Sequence, residues 1–152
     1  MLKLLRLLVV LAGATVLALL VAPVANSAER TTFVVPLSAE SECTKAVASG
    51  ATGNAVIHVD AETGEIKYRV VADDNLTGTV TAIHIHGPIN PLTGNGPAAV
   101  HLDLTDRSTD LVAKGTAIDP AVAALILANP ENFYVNVHTD ECAGGAIRGS
   151  LG

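Results

Sequence analysis

From Phe33 to Leu151 the chain sets apolar residues at every second position in short runs, the spacing of strands with one face buried. Phe33, Val35 and Leu37 alternate with polar or small neighbours. Ala55, Ile57 and Val59 do so in one run, and Ile66, Tyr68 and Val70 in the next. Between them Asp60-Ala61-Glu62-Thr63-Gly64 is a Gly-containing turn, so the two runs predict a hairpin. The turn cluster 73–78 leads into a strand over 79–86, and further strands are expected near 98–104, 113–118, 132–138 and 145–151. One helix interrupts them over 120–128. Asp119 suits its N-cap, Pro120 its first position, and Asn129-Pro130 its end. The pattern predicts an all-β fold: an antiparallel, Greek-key-like β-sandwich or barrel with one short helix near 120–128.

The first residues follow another logic. Lys3 and Arg6 precede an uncharged apolar stretch from Leu7 to Ala22, and small residues follow at Ala25, Ser27 and Ala28. This is the layout of a secretory signal peptide over 1–28, leaving 29–152 as one domain. A spanning helix needs ~20 apolar residues, and Pro23 ends this shorter run. A retained anchor is therefore the lesser alternative. The expected location is secreted or periplasmic/cell-envelope, with no membrane span after cleavage. The formal net charge of −6, without a basic cluster, argues against nucleic acid as a partner.

The only two cysteines, Cys43 and Cys142, would pair in an oxidising compartment. Closing a loop of that length is worth ~4–5 kcal/mol in the chain-entropy account. A pair of thiolate metal ligands is the less favoured alternative.

Strand parity gives direction to four of the five histidines. In Ile83-His84-Ile85-His86 the isoleucines belong to the core, so both histidines take the other face. His101, with Asp103, is set against Val100, Leu102 and Leu104, and His138, with Asn136, against Val135 and Val137. His84 and His86, joined by His138 or His101, would supply enough imidazoles for copper or zinc. Asp103, Asp140 and Glu141 are the expected carboxylate acceptors that fix the ring tautomers. The alternative is that the histidines bond to loop backbone and hold the Gly87-Pro88 turn. His58 has no partner at suitable spacing and is read as a surface residue. The Gly- and Pro-rich segment 86–97 has no basic residue and so is no phosphate cradle, and Gly-x-Ser-x-Gly is absent. No catalytic residue is assigned.

Several ordered blocks carry a resemblance. Thr81-Ala82-Ile83-His84-Ile85-His86-Gly87-Pro88, Gly96-Pro97-Ala98-Ala99-Val100-His101-Leu102, the segment from Asn129 to Thr139, and Gly144-Gly145-Ala146-Ile147-Arg148-Gly149 resemble the chordin-type (CHRD) domain. The resemblance implies an extracellular or cell-envelope β-rich module with an unidentified partner there, and no settled activity. The two cysteine segments depart from the family pattern. The order of a His-x-His strand, a late histidine and a Gly-rich approach to an arginine is also similar, more weakly, to Cu/Zn superoxide dismutase. His84, His86, His138 and Arg148 are the matching positions, with Arg148 beside the ligands rather than among them. The dismutase's bridging histidine and zinc loop are not placed in this sequence, so a copper-dependent redox enzyme ranks behind a binding or structural module.

Overall fold

The computed structural model describes residues 30–40, 42–105 and 111–152. The segment read as a signal peptide lies outside them. Among the described residues there are eight strands: β1 (Arg30–Ser38), β2 (Thr52–Asp60), β3 (Glu65–Ala72), β4 (Val80–His86), β5 (Ala98–His101), β6 (Leu111–Ile118), β7 (Tyr134–Thr139) and β8 (Ile147–Ser150). They form one antiparallel sheet in the order β5-β4-β7-β8-β1-β2-β3-β6. A bridge from Leu104 to Ala113 draws its two ends together, so the sheet is a nearly closed barrel rather than two packed sheets. The connections from β3 to β4 and from β6 to β7 link strands that are not neighbours, as a Greek-key-like path requires.

Alternation sends one set of side chains inward. Ile57, Ile66, Val70, Ile83, Ile85, Val135, Val137 and Ile147 are fully buried there. The expected hairpin is β2–β3, with Ile57 opposite Tyr68. Tyr68 carries a hydroxyl into the core, and that hydroxyl both accepts and donates. It accepts from the Asp103 backbone N–H at 2.9 Å and donates to Asp103 Oδ2 at 3.1 Å. Gly115 leaves the room, since a Cβ there would meet the Tyr68 ring.

The expected helix spans Pro120–Ala128, with Asp119 Oδ1 accepting from the Val122 N–H at 3.0 Å. A second, short helix, Thr44–Ser49, was not anticipated; it ends at Gly50 with φ 68°. Several strand limits also shift, β4 starting at Val80 and β6 at Leu111. The expected 98–104 strand stops at His101, and Leu104 retains only its bridge. A 3-10 turn over Pro130–Asn132 delays β7 to Tyr134, and β8 is confined to Ile147–Ser150. Cys43 and Cys142 form a disulfide across 99 residues, which ties the segment ahead of the short helix to the turn between β7 and β8.

Every residue of β7 is buried. Alternation placed Asn136 and His138 outward, and they do lie off the core, but the β7–β8 turn folds over them. His138 is only 8% exposed. A strand's own sequence reports which face a side chain takes, and carries no information on what later covers that face.

Candidate functional site

The histidines gather on the outer face of β4, β5 and β7. In register His84 lies opposite His101 on one side and Asn136 on the other, while His138 lies opposite Ala82. His138 nevertheless reaches both histidines of β4. Its Nε2 is 3.1 Å from His84 Nδ1 and 3.2 Å from His86 Nε2. One ligand-capable nitrogen from each of these three residues lies within 4.8 Å of the others. His101 stays outside this trio. It is exposed and set edge-on to the His84 ring, with centroids 4.5 Å apart.

Two loop carbonyls orient the rings. His86 Nδ1 is 2.9 Å from the Gly96 carbonyl, and His138 Nδ1 is 3.0 Å from that of Ala143. A carbonyl only accepts, so both Nδ1 atoms carry a proton, and in the neutral rings both Nε2 atoms present lone pairs. The two Nε2 atoms face each other. His86 also stacks on Tyr134, with centroids 5.0 Å apart and planes 8° from parallel, and the Arg148 guanidinium lies 5.2 Å over the same Tyr134 ring.

The carboxylates expected to orient the rings are engaged elsewhere. Asp103 is paired with Tyr68, Asp140 Oδ1 accepts from the Thr79 N–H at 2.8 Å, and Glu141 is 3.3 Å from Lys45 Nζ. Backbone carbonyls take their place. No side-chain pattern announces a carbonyl, so this part of the site had no signal in the sequence. Arg148 lies beside the site, 3.2 Å from Glu42 Oε1 through Nε and 3.1 Å from Asn95 Oδ1 through Nη1. Glu42 and Asn136 were also unanticipated. Asn136 is buried and the Glu42 side chain is 6% exposed; among the described residues Asn136 Oδ1 receives no hydrogen bond, and Glu42 Oε1 has its ion pair with Arg148 but no hydrogen bond. His58 does not join this group: it is exposed on β2, which pairs with β1 and β3, and its Nδ1 meets Thr32 Oγ1 at 2.8 Å.

Burial pushes His84 down to about 4, and the neighbouring His138, His101 and His86 add to that shift. His138 is also lowered, mainly by burial, against the opposing pull of the Ala143 carbonyl. A histidine lowered on folding binds fewer protons native than unfolded. Metal-free protein should therefore lose stability as pH falls from ~6.5 to ~4, with no further loss from His84 below that. Glu42, raised by burial, contributes with the opposite sign. The clean measurement is urea unfolding across this range for wild type minus a His84→Asn variant. A flat difference would contradict the assignment.

A family model described as CHRD domain matches residues 33–151. No curated protein and no solved structure matches the chain. The family and the disulfide fit an extracellular or envelope location, and among the described residues no helix is long and apolar enough to cross a membrane.

Proposed function

The chain belongs to the CHRD-domain family, and on that footing we propose that it is an exported module that binds one copper or zinc ion on the outer face of its barrel. The ligands in this reading are His84 Nδ1, His86 Nε2 and His138 Nε2, with His101 beside them.

The observation that carries the proposal is the facing pair of Nε2 lone pairs at 3.2 Å. Both rings are held in that tautomer from behind. Two acceptors so placed repel unless an electrophile lies between them, and His84 Nδ1 closes the third side. With metal–nitrogen bonds of ~2.0–2.1 Å, nitrogens 3.1 and 3.2 Å apart subtend ~95–106° at the ion, within reach of tetrahedral coordination. Imidazole suits both copper and zinc. Three protein ligands leave a position open to water or a partner's side chain. The acidic net charge of the chain favours cations near its surface.

Metal content tests this directly. After loading with zinc or copper and desalting, the wild-type protein should retain about one equivalent, as three-histidine sites do. A His84→Ala/His86→Ala variant should retain almost none. Equal retention by both proteins would end the metal reading. The histidines would then be left as props for the loops bearing Gly96 and Ala143, in a module whose role is structural or in protein interaction.

A further inference from the structure

The disulfide and the histidine centre meet in one short turn. Cys142 is followed directly by Ala143, whose carbonyl accepts from His138 Nδ1. The turn has its own bonds. The Cys142 N–H lies 3.0 Å from Thr139 Oγ1, the Gly145 N–H donates to the Cys142 carbonyl at 3.0 Å, and Asn136 Nδ2 donates to the Gly144 carbonyl at 3.3 Å. Ahead of Cys142 the turn is tied to Thr79, whose N–H donates to Asp140 Oδ1 at 2.8 Å and whose carbonyl accepts from the Asp140 N–H at 2.9 Å. Its other external ties come from the segment around the short helix: the Cys43–Cys142 bond, the exposed Lys45–Glu141 pair at 3.3 Å, and Glu42, packed where a Cβ on Gly145 would strike its carboxylate. An exposed ion pair is worth ~0–1 kcal/mol, and Glu42 directs its charge to Arg148. Among the ties from that segment the covalent bond is the dominant one, and it acts at the residue next to Ala143.

We propose that the Cys43–Cys142 disulfide is a positioning element of the histidine centre, holding the Ala143 carbonyl where it keeps His138 in the Nδ1–H form. Half of this rests on the metal reading above: the ligand role of Nε2 does, whereas the tautomer does not. If the turn is released, water competes for Nδ1 and the ring gains access to the Nε2–H form, whose proton blocks the atom that faces His84 and His86. Removing an outer hydrogen-bond partner of a metal-ligating histidine costs 10–100-fold in affinity, and loss of the bridge should act through that same bond.

The test uses the full chain and a Cys43→Ala/Cys142→Ala variant, which introduces no thiol that could itself bind metal. Zinc is the probe, its dissociation constant read by competition with a chromophoric chelator. Binding should weaken ~10–100-fold in the variant. In parallel, long-range proton–nitrogen NMR of the metal-free proteins reads the tautomer of His138. It should be Nδ1–H with the bridge and mixed without it. A His138 that remains wholly Nδ1–H in the variant overturns the inference, even if neither protein binds zinc. A wild type that binds no zinc but shows the tautomer change overturns the metal reading and leaves the positioning role standing. A second variant covers failure of the first to fold. Lys45→Ala with the bridge intact should keep both the tautomer and the zinc affinity of wild type. A loss there equal to that expected of the bridge would assign the turn's position to that charged contact instead.

Discussion

Replacing Phe133 with alanine should cost about 3–5 kcal/mol, the range for a fully buried aromatic truncated to a methyl group. Phe133 is 2% exposed, stands immediately before β7, and accepts the Leu151 N–H at its carbonyl. A domain of this size has ~5–15 kcal/mol in hand, so the loss would be a large share of the total. The effect should reach the histidines as well. Gly87, with φ 153°, lies so close that any Cβ there would enter the Phe133 ring. That contact seats the start of the loop whose far end presents the Gly96 carbonyl to His86. Urea unfolding of wild type, Phe133→Ala and Phe133→Leu should rank them in descending stability as wild type, leucine, alanine. A cost under ~1 kcal/mol for the alanine variant would place Phe133 outside the core, since that is the scale of ordinary surface changes.

Metal-linked stability should produce the next largest effect. A ligand that binds only the native state at a thousand times its dissociation constant adds ~4 kcal/mol. At ~4 °C per kcal/mol for a domain near this size, the melting temperature should rise ~15 °C. The His84→Ala/His86→Ala variant should show no such rise. The gain should also shrink as pH falls, because each ligand nitrogen must be unprotonated to bind. His84, held down to about 4, should resist that competition longer than an ordinary imidazole. Zinc-dependent melting curves at a series of pH values measure both effects. A rise of equal size in the double variant would locate the stabilising metal elsewhere on the molecule.

The features legible in the sequence were the local ones. The β2–β3 hairpin, the Asp119 cap with Pro120 behind it, and the shared face of His84 and His86 each depend on residues within a few positions. The short helix at Thr44–Ser49 was missed because six residues give too short a run for helical periodicity to register. Asp103 shares the parity of His101, which suggested a role beside it. The position of Tyr68, supplied by a strand 35 residues away, drew that carboxylate toward the seam instead. Asp140 and Glu141 sit in a turn, where alternation has no meaning. Their orientation follows from the path of the backbone there, and it sends them to Thr79 and Lys45.

The family membership and the pairing of the two cysteines follow the same division. Ordered blocks of sequence carry the family across residues 33–151, and two cysteines behind a stretch that reads as a signal peptide point to a bridge. What the sequence by itself determined was thus a set of strands, the face that His84, His86, His101 and His138 take, and the covalent tie at the two ends of the domain. The tertiary structure decided that the sheet curls into one barrel, that His138 rather than His101 joins His84 and His86, and that Gly96 and Ala143 set the tautomers. The reason is that parity is a property of one strand. The meeting of ring nitrogens depends on the pairing and stagger of different strands and on backbone carbonyls, which every residue has and no residue type signals.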